Sequence, residues 1–409
     1  MIKYHYIIFT IISIRIFTLN LQYAGLNLLA PAFLGLFFLL SVFKNSTLSI
    51  RALSNKMMML NYLILCLFFI SSIIGWMNGF ELSISLSFLL KYVVILFLCY
   101  FGFIAASRGY KASLFYFILI LNICNFFALL SYFGLGKNEV VNNIVRPIGI
   151  VGYSEVMSHI SLFSLLFYFY LQSCEKWILQ GTYRIIVAFS LILALVTLLL
   201  SSTLKNILVL PVGVFFILFF SGFGFSRLLK VTLLGAIIAS PIIVYYGADL
   251  FIRLDKVVTA GIDLDIKKGD MVQSTFMFRV LHWKLLLTDW YNNYFYLGAG
   301  VGNVPFMKGF GYERGFKLDA HGDIVKFICE LGVVGGAIFA LIYYKFIRLL
   351  FSELPFSTLS VFCLSVILTF TIVGVAGKVF YSAYNLYFLS FLVGLSFGVS
   401  DSSRKRRQV

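Results

Sequence analysis

The chain has 409 residues, 61% of them apolar and only 12% charged, with a formal net charge of +16. So few charges cannot cover so much apolar surface in water, which excludes an ordinary soluble domain. The basic excess does not mark a nucleic-acid protein either, because it is parcelled out among short connections.

In chain order, apolar runs able to cross about 30 Å of hydrocarbon predict twelve transmembrane helices. They cover roughly 4–19, 25–43, 57–75, 82–104, 112–134, 153–171, 183–200, 206–222, 230–248, 322–344, 354–374 and 379–399. Arg15 interrupts the first run and no small-residue cleavage pattern follows, so it reads as a retained span, not a signal peptide. Cations recur in alternate connections: Lys44, Arg51 and Lys56; Arg108 and Lys111; Lys176 and Arg184; Arg227 and Lys230; Lys345 and Arg348. The tail Arg404-Lys405-Arg406-Arg407 falls on the same side. By the positive-inside rule that side, with both termini, is cytoplasmic. The expected fold class is all-α: a polytopic helical bundle, since helices satisfy their own backbone in lipid. Residues 1–248 hold helices one to nine, 249–321 form one large outer loop, and 322–409 hold helices ten to twelve and the basic tail. The six cysteines lie in spans or, for Cys174, in a cytoplasmic connection, and their spacing suggests neither disulfide nor metal site.

Two ionisable features lie inside spans. Lys91, near the middle of the fourth, is costly there unless paired. Lys326 and Glu330 stand one helical turn apart and form a self-satisfying pair.

The outer loop is too long to be mere connection. "STFMFRVLHWKLLLTDW" (274–290) opens on Ser/Thr and spaces apolar residues helically, so it predicts an amphipathic helix at the interface. "LGAGVGN" (297–303) follows as a turn-rich loop. Its Gly-x-Gly-x-Gly spacing follows no strand and opens no βαβ unit, so it is not a nucleotide loop.

There are four histidines. His5 is cytoplasmic and bland, His159 reads as a buried hydrogen-bonding residue, and His282, beside Trp283, fits a packing role as well as any other. His321 differs, because it stands at a helix mouth between Asp319 and Asp323 and can change charge near neutral pH. Arg146, Lys205 and Arg279 add cations on the outer side, where orientation needs few. An anionic substrate there, such as a lipid-linked diphosphate, would explain them, since guanidinium forks match phosphate oxygens.

These residues resemble the O-antigen ligase and O-antigen polymerase superfamily of bacterial membrane glycosyltransferases. The resemblance rests on His321 leading into Glu330, Gly332, Gly335 and Gly336 of "AHGDIVKFICELGVVGG", on Arg279 and Trp283 followed by "LGAGVG", and on Arg146 with Gly149. Gly322 stands where the family commonly has Asn, Lys205 where it has Arg, and "GYSE" replaces an Asn/Pro-rich stretch. The resemblance implies a C-type glycosyltransferase fold with a large periplasmic loop in the inner membrane, acting on a glycan carried by undecaprenyl diphosphate. It implies polymerisation of lipid-linked repeat units, with transfer to the lipid A core as the alternative. In that chemistry Arg279, Arg146 and Lys205 would hold the diphosphate and its developing charge. His321 would be the general base, supported by Asp319, Asp323, Glu330 and Trp283. No cofactor or metal is expected, and the partners are the lipid-linked glycan, the bilayer and other polysaccharide-assembly membrane proteins. A lipid-linked oligosaccharide flippase remains a rival, and Lys91 is the feature that favours it.

Overall fold

The computed structural model describes residues 24–44, 46–136, 138–141, 144–149, 153–175, 181–201, 203–222, 275–309, 318–375, 377–380 and 382–408. The expected first and ninth spans, His5, Arg15 and the loop residues 249–274 and 310–317 lie outside these. Seven described helices are long and apolar enough to cross a membrane: Lys56–Met77, Leu82–Ser107, Gly109–Tyr132, Ser154–Cys174, Gly181–Leu200, Asp323–Glu353 and Asn385–Lys405. Three shorter apolar helices, Ala32–Phe43, Lys205–Phe220 and Thr358–Gly374, fall on further expected spans. Leu82–Tyr132 runs as one element bent at Gly109, so the fourth and fifth spans meet with almost no connection. One small departure from all-helix is an antiparallel pair, Asn138–Val141 with Ile144–Pro147, before the sixth span.

The chain divides into two compact units. The first takes the described residues of Met1–Leu67, Ser87–Gly222 and Phe339–Val409. It is built on close helix packing. Side chains added at Gly394 and Gly398 would collide with the carbonyls of Cys99 and Phe103, so four-residue glycine spacing lets two backbones touch. Phe117, Phe163, Phe167, Phe362 and Phe388 pack together edge to face or tilted, at centroid separations of 5.1–6.0 Å. Short polar side chains cross between helices: Asn125 Nδ2 donates to Ser164 Oγ at 3.0 Å, Ser161 Oγ to Asn125 Oδ1 at 2.9 Å, and Tyr168 Oη to Asn122 Oδ1 at 2.9 Å. Lys91 places its ammonium over the Phe88 ring, 5.8 Å from the centroid, which offsets part of the cost of its position.

The second unit takes the described residues of Phe68–Leu86 and Phe223–Ile338. A helix is present over the expected stretch as Thr275–Asp289, prolonged by a π-helical turn, Trp290–Tyr294. The tenth span departs from expectation. Asp323–Glu353 is broken at Gly332, whose φ of 66° and ψ of −173° leave the helical region. Backbone groups freed by such a break need partners inside an apolar medium, and the glycine loop supplies them. Ala299 N donates to Cys329 O at 2.8 Å and Gly300 N to Glu330 O at 3.0 Å, while Val333 N and Val334 N donate to Phe295 O and Tyr296 O at 2.9 and 3.1 Å. A side chain at Gly332 would strike Gly298 N, and one at Gly298 would strike Glu330 O. Gly332 therefore does not serve helix–helix packing as its place in an apolar run suggests; it opens the helix to a loop. Ser71 Oγ, Asn78 Nδ2 and Ser85 Oγ cap carbonyls of the same seam at Glu330, Gly298 and Val301.

Candidate functional site

In the second unit the site grows from residues 319–330. Helix Asp323–Glu353 starts with Asp323 in its first turn, where a carboxylate complements the amino end. Directly before it, His321 is the sole non-glycine residue with positive φ among the described residues, at 54°. That backbone is costly for a residue with a Cβ and persists only where surroundings over-determine it. They do so here. Asp319 Oδ1 accepts from Ala320 N at 2.9 Å, and Lys326 Nζ reaches both Asp319 oxygens at 2.9 and 3.0 Å. His282 Nε2 donates to Asp319 O at 3.2 Å, the carbonyl being able only to accept, and Trp283 Nε1 donates to Ala320 O. Residues 319 and 320 are thus tied through a side chain, an amide and both carbonyls before the chain turns through His321.

Helix Thr275–Asp289 delivers His282 and Trp283, and Arg279 precedes them by three and four residues. It lies one turn along the same face. His282 is 1% exposed, its ring against the backbone of Gly309, where an added Cβ would stand 2.6 Å from Cε1. The helix is anchored below by Leu286, which packs with Ala299, Val304, Met307, Ala320, Val325 and Cys329. At its end Asp289 accepts from Asn293 Nδ2 at 2.7 Å and from Lys308 N at 2.9 Å. Burial first, then the Asp289 carboxylate, push the Tyr294 phenol up.

Lys326 Nζ lies 3.8 Å from Glu330 Oε1, farther than from Asp319. The expected Lys326–Glu330 pair is therefore the weaker half of a triad, and Glu330 is fully buried. Residues 319 and 326 are not an obvious helical pair, because Asp319 precedes the helix.

Arg146 and Lys205 belong to the first unit. Arg146 lies on the strand Ile144–Pro147 opposite Glu139, and its buried Nε finds no hydrogen-bond partner among the described residues. Lys205 forms an ion pair with Glu155, and its ammonium rests so close to Gly377 that a side chain there would collide with it. The cation read from sequence thus already has a carboxylate counter-ion. His159 is buried as expected, but neither ring nitrogen hydrogen-bonds among the described residues, which corrects its reading as a hydrogen-bonding residue.

Residues 189–340 match the O-antigen ligase family. The match supports the O-antigen ligase/polymerase superfamily, and it agrees with the several apolar membrane-length helices. It spans less than half of the chain, taking in Lys205, Arg279, Trp283, Asp319, His321, Asp323 and Glu330 and leaving Arg146 outside. No curated protein matches the chain. What sequence reasoning missed was tertiary: His282 and Lys326 as partners of Asp319, and the serines and asparagine of residues 71–85 that cap the glycine seam.

Proposed function

We propose that the chain is a bacterial inner-membrane glycosyltransferase that joins oligosaccharide repeat units carried on undecaprenyl diphosphate at the periplasmic face. The observation that carries this reading is His321: a histidine in left-handed backbone at a helix mouth, whose two preceding residues are held by His282 and Trp283 of the helix that also carries Arg279.

Glycosyl transfer from a diphosphate breaks the bond between the anomeric carbon and the phosphate oxygen, which leaves with the electron pair. The acceptor hydroxyl oxygen forms the new bond and gives up its proton. His321 takes that proton as general base, a step contributing about 10²–10⁴-fold. Arg279 matches the diphosphate's growing charge with a two-pronged contact. Fixed guanidinium groups do the work a divalent ion does elsewhere, so transfer is expected to survive chelator.

Transfer to the lipid A core is the second reading, supported by the description of the matched family as O-antigen ligase. The two separate in one experiment. Purified protein in bilayer discs receives the lipid-linked repeat, with and without lipid A core. Lengthening of the repeat without the core supports polymerisation; product formed only on the core overturns it.

A further inference from the structure

The contacts around residues 319–330 point to a role for a residue that neither the family resemblance nor the base assignment requires. We propose that Lys326 is a positioning residue for His321, acting through Asp319. This rests on His321 as general base.

The geometry runs in one direction. Lys326 is nearly buried, in the second turn of the helix that His321 introduces, with its own amide donating to Gly322 O at 3.1 Å. The lysine is therefore fixed to the helix, and its ammonium reaches back to hold both oxygens of Asp319. Asp319 is in turn fixed to Ala320 N, and its carbonyl is held by His282. Between the two ends of this loop lies His321, with φ of 54°. Closing the chain between Asp319 and Lys326 leaves the intervening residues little room, and the left-handed turn is the conformation the closure selects. Glu330, 3.8 Å from the same ammonium, adds a second carboxylate beside it. Without the ammonium, His321 has the cheaper right-handed backbone open to it, and the imidazole swings away from the acceptor hydroxyl while Arg279 still holds donor.

Removing Lys326 alone strands two carboxylates and risks the fold, so the test uses a charge-balanced pair. In Lys326→Met/Asp319→Asn, the account predicts kcat lowered about 10-fold or more, donor KM within about 2-fold, and faster amide hydrogen exchange at residues 319–322. Lys326→Arg, which can still grip a carboxylate, should recover most of kcat. Wild-type kcat with unchanged exchange in the double variant would overturn the proposal, as would a loss confined to donor KM. The base reading has its own control in His321→Gln. If that variant turns over normally, the base reading fails, and exchange at 319–322 still decides whether Lys326 orders this segment.

Discussion

Two helices of the molecule handle buried polar groups in opposite ways. Ser154–Cys174, in the first unit, runs unbroken, and its mid-helix serines bond sideways to Asn125 while each also bonds a carbonyl of its own helix. Asp323–Glu353, whose first part lies in the second unit, is broken at Gly332 and carries Asp323, Lys326 and Glu330 buried before the break. Neutral, doubly satisfied groups lock helices together at low cost. Charged groups and an opened backbone cost more and need a dedicated frame of loop, capping serines and counter-ions. The difference separates a packed scaffold from the segment proposed to carry the chemistry.

Substitutions can break that contrast. The largest effect is expected at the scaffold's tightest crossing: Gly394→Val drives a branched side chain into the Cys99 carbonyl, and such overpacking costs on the order of 1–3 kcal/mol or more. Inserted, monodisperse protein should fall sharply in fluorescence size-exclusion; a normal profile would mean the helices do not touch at these glycines. Next comes Arg279→Ala, which should lower transfer by about 10²-fold or more while insertion is unchanged. Arg279→Lys should recover only part, because an ammonium cannot make the two-pronged contact; full activity in the alanine variant would reduce Arg279 to an interface anchor. Smallest is Asn125→Ala. Ser161 and Ser164 keep bonds to Met157 O and Ile160 O, so the loss should be about 0.6–1.7 kcal/mol. Thermal unfolding in detergent should record it with turnover unaffected, and a lost turnover would blur the line between the two regions.

The membrane helices were legible because apolar length is a local property: the runs from residues 57 to 75 and 153 to 171 became Lys56–Met77 and Ser154–Cys174. Arg279, Trp283 and His321 were legible as residue types at suggestive places, and helix Thr275–Asp289 as a pattern. The break at Gly332 was not, because a glycine in an apolar run reads equally as a packing residue until Gly298 and Tyr296 are known to face it. The Asp319–Lys326 bond was hidden for a related reason: it joins a loop residue to a helix, and no periodicity marks such a pair. His282 looked like packing because a ring's bond to a distant carbonyl leaves no trace in spacing.

The central claim is that His321 removes the acceptor's proton while other groups hold the donor. It is tested most directly by His321→Gln in bilayer discs, with transfer rate and donor retention measured on the same preparation across pH. The account predicts a rate lowered by about 10²-fold or more with donor still bound. In the wild type it predicts a rate that falls towards acid through one ionisation, since the protonated imidazole can no longer accept a proton, and that ionisation should be absent from the variant. Wild-type turnover by His321→Gln would contradict the claim, and loss of donor binding would make His321 a substrate anchor instead.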